Sequence, residues 1–270
     1  MAERLNNLTG KEWLQHSFSI WRDIQKNKEE RTLKHPAMFP IKLAERLIDI
    51  LVNNKDAVVL DPFMGSGSTL IGAQNKKLKG IGFELNTDYI TMAKNRLENG
   101  YKTMFNTNQY KIINESAENI DKYLKPNSID LTITSPPYWD ILNRKRTADR
   151  KEIRNYGDSK IDLGNISNYD NFLAALQGIM SKVYMVTKPN GYCIVIVMDI
   201  RKQSTLYPLH FDLASKMSEI NFTLCDIVIW DRQSEYNNMR PLGYPYSFIV
   251  NKVHEYVLIF KKKEKMNDAK

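Results

Sequence analysis

Two periods alternate along this chain, and the alternation limits it to one fold class. Short apolar runs of strand length lie at 57–60, 80–83, 109–113, 129–134, 192–198, 222–230 and 253–261. Segments with apolar residues at helical spacing separate most of them, at 40–52, 68–77, 87–98, 168–187 and 209–220. Leu43, Leu47, Ile50 and Leu51 share a face of the first, which Pro40 begins; Tyr89, Ile90, Ala93 and Leu97 share a face of the third, which opens on the cap residue Thr87. A helix between two strands returns the chain across the sheet and makes those strands parallel. The pattern therefore predicts an α/β fold, doubly wound, with a mostly parallel seven-stranded sheet. The final two strands have no helix between them, so the last strand is expected to run antiparallel. Lys188-Pro189-Asn190-Gly191 predicts a turn ahead of the buried strand Tyr192–Met198.

Three segments fall outside the alternation. Residues 1–34 read as a helical N-terminal extension carrying Trp13, Phe18, Ile20 and Trp21. The other two, near 139–166 and 231–252, are loops on which ligand contacts are expected to concentrate. There is no internal repeat. The longest unbroken apolar run, Tyr192–Met198, is far short of the roughly 20 residues that cross a bilayer. The first residues carry no apolar signal core, and the two cysteines, Cys193 and Cys225, sit in strand-like segments, so the chain reads as cytoplasmic with reduced thiols. The four histidines are scattered without ligand spacing, and no metal is expected. Lys and Arg number 39 against 31 Asp and Glu, a net charge of +8 that suits a polyanionic partner.

Asp61-Pro62-Phe63-Met64-Gly65-Ser66-Gly67-Ser68-Thr69 follows a strand and opens a helix. Small residues there let a ligand approach the backbone, and the helix start offers free N–H groups. A phosphate-binding P-loop would need Lys after Gly67 and finds Ser68. A dinucleotide site would need a third glycine where Ile71 stands. A nucleoside cofactor without pyrophosphate is the third reading: Asp61 would face a positive group, and Glu84, ending the next strand, would hold ribose hydroxyls. A purely structural turn is the fourth.

Ser135-Pro136-Pro137-Tyr138-Trp139 follows another strand. Two prolines cannot extend a ladder, and they fix φ at both positions. Such a rigid turn offers Ser135 and the Pro136 carbonyl as acceptors beside an aromatic ring. That set suits a flat ligand with an exocyclic amino group, such as a nucleobase. Standing alone, the segment reads first as a plain strand-ending turn with a buried Tyr.

Together the two turns resemble the DNA amino-methyltransferases of the N4-cytosine/N6-adenine family. The segment from Asp61 is similar to their cofactor motif, and Ser135-Pro136-Pro137-Tyr138 to their catalytic motif in its N4-cytosine form. His35-Pro36-Ala37-Met38-Phe39-Pro40 is similar to the segment that closes over the methionine end of S-adenosylmethionine. Lys188-Pro189-Asn190-Gly191 and His254–Phe260 also fit, so the resemblance covers roughly 35–265 as one catalytic domain. In this chain the cofactor motif precedes the catalytic one, the reverse of the best-known order for Ser-Pro-Pro-Tyr enzymes.

The resemblance implies a class I S-adenosylmethionine-dependent methyltransferase fold and transfer of methyl to cytosine N4 in double-stranded DNA, with adenine N6 as the alternative. RNA or protein amide methylation and a non-catalytic DNA-binding subunit are more distant readings. It implies catalysis by Ser135, Pro136, Pro137 and Tyr138. Cofactor contacts would come from His35, Pro36, Met38, Phe39, Pro40, Asp61, Pro62, Phe63, Gly65, Ser66, Gly67, Ser68, Glu84, Leu85 and Ser116. A cognate restriction endonuclease is a companion this resemblance raises. Tyr138, with Trp139 beside it, is expected to stack on the flipped base. Arg144, Lys145 and Arg146 are expected on DNA phosphates, and Arg232, Asn238 and Arg240, side chains of the types that read base edges, on the DNA.

Overall fold

The computed structural model describes residues 4–33, 38–99, 109–140, 163–236 and 239–264. His35, Pro36, Arg144, Lys145, Arg146 and Asn238 lie outside the described residues. In chain order the elements are α1 (Gly10–His16), β1 (Ile20–Trp21), α2 (Lys28–Thr32), α3 (Ile41–Leu51), β2 (Val58–Asp61), α4 (Ser68–Asn75), β3 (Lys79–Phe83) and α5 (Thr87–Asn99). There follow β4 (Tyr110–Ile113), α6 (Ile120–Tyr123), β5 (Ile129–Thr134), α7 (Tyr169–Val186), β6 (Thr187–Val197), β7 (Ile200–Lys202) and β8 (Thr205–Tyr207). The last three are α8 (Leu209–Glu219), β9 (Phe222–Asp231) and β10 (His254–Lys262).

The main sheet runs β1-β9-β10-β6-β5-β2-β3-β4, and β7 and β8 form a separate hairpin. All neighbours in it are parallel except β10, which is antiparallel to both β6 and β9. The seven expected strands are thus present, with the last one antiparallel. Alternate residues of β6 serve opposite faces: Cys193, Val195 and Val197 join the core under α7 and α8, while Ile194 and Ile196 join the one under α3. Burial on both sides is why its sequence is continuously apolar.

Two expectations change. Residues 1–34 are not helical throughout: Ile20 and Trp21 form an eighth strand parallel to β9, paired with Ile229 and Trp230. A β-branched and an aromatic residue suit a strand, and the edge of β9 gains a cover. Trp21 is buried there, whereas α1, started by a Thr9/Glu12 capping box, buries nothing. The second change is at Lys188–Gly191, which is a bulge inside β6 and not a turn before it. Thr187 pairs with Ile129 and Tyr192 with Leu131, so the intervening residues loop outward with Asn190 at φ 62°.

Among the described residues no helix is long and apolar enough to cross a membrane.

Candidate active site

Parallel strands of a doubly wound sheet end on one rim, where ligands bind. Here β2 and β5 are direct neighbours, with Leu60 opposite Thr132, so the turns that follow them are adjacent. Asp61 fastens one to the other. Its carboxylate accepts from Thr69 Oγ1 at 2.7 Å, from Thr134 Oγ1 at 2.7 Å and from the Phe63 amide at 3.1 Å. Thr69 also touches the Ile133 carbonyl at 3.1 Å. Asp61 is only 1% exposed, and burial raises its pKa to about 6 against the opposing effect of those donors. The expectation that Asp61 faces a positive group of the ligand is therefore corrected: the carboxylate lies between two threonines and joins the turns.

The glycine turn needs its glycines. Gly67 sits at φ 85°, and a Cβ on it would stand 3.0 Å from Ala93 Cβ. Gly82 on β3 lets Met64 lie across it, for a Cβ there would meet the Met64 sulfur at 2.5 Å. Glu84 accepts from the Gly65 amide and from the Asn86 amide, each at 2.8 Å, which ties the end of β3 to the turn.

These segments line one partly open cavity. Its walls include Met38, Phe39, Pro62, Phe63, Gly65, Ser66, Ser68, Glu84, Leu85, Ser116, Ser135 and Pro137 from the sequence-derived set. Phe83, Ala117, Leu163 and Ile179 complete an apolar surround that the sequence did not single out. Pro40, Asp61, Gly67, Pro136 and Tyr138 stand behind the wall. Ser68 lines the cavity, and its Oγ is buried with no hydrogen-bond partner among the described residues. Ser116 caps the short turn of helix at Ala117–Asn119.

Two buried ion pairs support the site, and neither was legible in the sequence. Arg96 of α5 donates to the Ser66 carbonyl at 2.6 Å and to Ser66 Oγ at 3.1 Å. Burial lowers the pKa of Arg96, and Glu30, 3.6 Å away, opposes that. Glu30 in turn accepts from the amide that begins α3, Ile41 N, at 2.7 Å. The second pair is Arg232 with Glu255. Glu255 Oε2 accepts from the Tyr138 hydroxyl at 2.8 Å, and Tyr138 Oη lies 3.0 Å from Ser135 Oγ. Burial, then the Glu255 charge, holds the Tyr138 pKa well above that of an ordinary tyrosine.

Two aromatic and cationic assignments change as a result. Trp139 is 4% exposed, with its ring against Tyr169, Tyr207 and the Lys202 ammonium, so it cannot stack on a base beside Tyr138. Arg232 is not directed at DNA: its guanidinium is held by Glu255 and Glu235 and lies over the Trp230 ring. Arg240, by contrast, is exposed. Next to it a small finger projects, closed by the Leu242–Ile249 bridge, with Gly243 at φ 75° and its carbonyl taking the Tyr246 and Ser247 amides at 2.8 and 2.7 Å. It presents Tyr244, Tyr246 and Phe248 at 79%, 93% and 96% exposure, an unusual display of aromatic surface.

A sequence profile of the N6/N4 family described as DNA methylase matches residues 3–95 and 129–270. The orphan methyltransferase M.BamHII of Bacillus amyloliquefaciens is 42% identical over 87 residues, 30% of this chain and 32% of that protein. The Type II methyltransferase M.MjaI of Methanocaldococcus jannaschii is 27% identical over 173 residues, 58% of this chain and 56% of that protein. The chain therefore aligns with less than two thirds of the length of either relative. Among solved structures, a SAM-dependent methyltransferase from Methanosarcina mazei superposes with a TM-score of 0.51 at 13% identity, over 84% of this chain and 99% of that one. The fold is that of the class I S-adenosylmethionine-dependent methyltransferases.

Proposed function

The chain belongs to the N6/N4 DNA methylase family, and on that premise we propose that it transfers a methyl group from S-adenosylmethionine to the exocyclic N4 amine of a cytosine flipped out of duplex DNA. One observation carries the reading: the glycine turn and the Ser-Pro-Pro-Tyr turn, fastened together through Asp61, line one cavity with Glu84 and Ser135 on its walls.

The residues that line the cavity suit the cofactor in kind. Phe39, Pro62 and Phe63 offer apolar contact, Glu84 an acceptor for ribose hydroxyls, and Ser116 a polar contact for the adenine. Ser68 lines the cavity, and its buried Oγ has no hydrogen-bond partner among the described residues. His35 and Pro36 would close the methionine end. When bound, S-adenosylmethionine supplies an electrophilic methyl on a positively charged sulfur.

The chain's own task is to orient the amine. An exocyclic amine conjugated to its ring is a weak nucleophile. Ser135 Oγ, on the cavity wall, accepts one of its hydrogens and turns the nitrogen lone pair toward the methyl. Most of the rate then comes from placement and fixed dipoles, without a covalent enzyme intermediate. Ser135 at the head of the turn favours cytosine. The DNA lies across Arg240 and the aromatic finger, with Arg144, Lys145 and Arg146 on phosphates.

The test is transfer of a labelled methyl group to duplex DNA, RNA and protein in parallel, followed by hydrolysis of the DNA and identification of the modified nucleoside. N4-methylcytosine is expected. N6-methyladenine would overturn the choice of base, and label confined to RNA or protein would overturn the substrate.

A further inference from the structure

Ser135 Oγ, Tyr138 Oη and Glu255 Oε2 form a chain with steps of 3.0 and 2.8 Å. Heavy-atom positions leave the protons open, but the groups at the inner end of the chain decide them. The Glu255 carboxylate is 5% exposed and paired with Arg232, which is itself held 2.6 Å from Glu235. A carboxylate in that pairing only accepts. The other polar neighbour of Tyr138 Oη among the described residues, the Ile196 carbonyl at 3.5 Å, also only accepts. Tyr138 has one proton, and both candidate recipients lie on the inner side. Its oxygen therefore faces Ser135 with a lone pair, and the Ser135 hydroxyl must donate to it. That commits the single Ser135 proton inward and leaves its lone pairs for the cavity that it lines.

We propose that the Arg232–Glu255 pair is a polarity lock, which acts through Tyr138 to make Ser135 a hydrogen-bond acceptor, and never a donor, toward the target amine. The inference rests on the methyl-transfer reading above and deepens it. An amine awaiting methylation has hydrogens to be held and a lone pair to be left free. A serine that accepts holds a hydrogen; a serine that donates would occupy the lone pair and oppose the reaction. Glu255 is a positioning residue in this scheme, since it never touches the base.

Glu255→Gln tests the lock with almost no change of shape. Arg232 keeps its claim on the side-chain oxygen, so the amide NH₂ faces Tyr138 and donates to it. Tyr138 then donates to Ser135, the nearer of its two remaining acceptors at 3.0 Å against 3.5 Å for the Ile196 carbonyl, and the Ser135 proton turns into the cavity. The expected result is a fall in kcat on the order of 10²-fold, comparable to removing one fixed hydrogen bond from a transition state. KM for S-adenosylmethionine should stay at the wild-type value, while Tm falls because Arg232 keeps only Glu235 as a counter-charge. Tyr138→Phe cuts the chain, so adding Glu255→Gln to it should cost nothing further; a merely structural Glu255 would cost the same in both backgrounds. Full activity of the Gln variant, or equal losses in both backgrounds, would overturn the lock. A wild-type protein with no methyl transfer would strike the functional reading instead. The lock would then be judged by a neutron structure of the deuterated protein. Deuterons running from Ser135 to Tyr138 and from Tyr138 to Glu255 support it, and a Ser135 deuteron aimed into the cavity refutes it.

Discussion

Asp61→Asn should make the protein relatively more stable as pH rises, and the size of the effect follows from where Asp61 sits. Burial lifts the carboxyl from 3.8 to about 6, so the folded state prefers its neutral form. Below about pH 4 the group is protonated in both folded and unfolded chains and contributes no difference. Between about 4 and 6 the folded state holds more protons than the unfolded one, and stability falls as pH rises. Above about 6 the full cost is present, roughly two pKa units or about 3 kcal/mol. Asn has no such dependence, and it can keep the local bonds. Its oxygen can serve Thr134 and the Phe63 amide, which both use Asp61 Oδ1. Its NH₂ can donate to Thr69, whose own proton has the Ile133 carbonyl within 3.1 Å. Urea unfolding of both proteins from pH 4 to pH 8 measures the comparison, and the other titrating groups cancel because they are common to both. The difference should shift by about 3 kcal/mol in favour of Asn across pH 4 to 7. Parallel stability curves, or a shift of opposite sign, would refute the account of Asp61 as a buried strap.

Gly67→Ala should lower stability by about 1–3 kcal/mol in thermal unfolding, since alanine is strained at positive φ and its methyl meets Ala93 at 3.0 Å. Replacing Tyr246 and Phe248 together by serine should weaken DNA binding at least tenfold at about 1–3 kcal/mol per stacked ring, with Tm unchanged because both rings are exposed; equal affinity by fluorescence anisotropy would remove the finger from the interface. Neutralising Arg144, Lys145 and Arg146 should flatten the slope of log K against log salt by up to about 0.9 for each phosphate no longer neutralised, and an unchanged slope would reject the placement of these side chains on the backbone of the DNA. Arg96→Met should cost about 3–5 kcal/mol by leaving Glu30 charged and buried, and adding Glu30→Gln should recover much of it in the same denaturation assay.

What could be read from the sequence was whatever is local. The strand ends at Asp61, Glu84 and Thr134, the positive-φ glycine at 67 and the proline pair after Ser135 each declare themselves within a few residues, and all of them converge on the rim. Ile20 and Trp21 did not, because a strand of two residues has no period; only the open edge of β9 gives it a reason to form. The bulge at Lys188–Gly191 resembled a turn because Pro-Asn-Gly breaks a ladder in either case, and it took Asp130, Ile129 and Leu131 on the neighbouring strand to hold it inside β6. Trp139 and Arg232 were misassigned by type. An aromatic beside a double-proline turn and an arginine in a polar loop suit nucleic acid, but their partners, Lys202 and Glu255, come from distant stretches of chain that no spacing rule reaches.

The roles that sequence reasoning missed share one property: they belong to charges buried beneath the rim. Asp61, Glu30 with Arg96, and Glu255 with Arg232 lie outside the cavity wall, yet each ends on a turn that forms it. Well-packed apolar side chains in those places would often stabilise a fold better than buried ions do. Apolar packing is indifferent to small displacements, however, whereas a hydrogen-bonded charge tolerates few geometries. A reaction that depends on holding an amine within about half an ångström of its line of attack gains from that intolerance. The three charged sites therefore make most sense as the means by which separate stretches of chain, the N-terminal segment through Glu30, the helix α5 through Arg96 and the last strand through Glu255, are brought to bear on two short turns that local sequence alone would leave to drift.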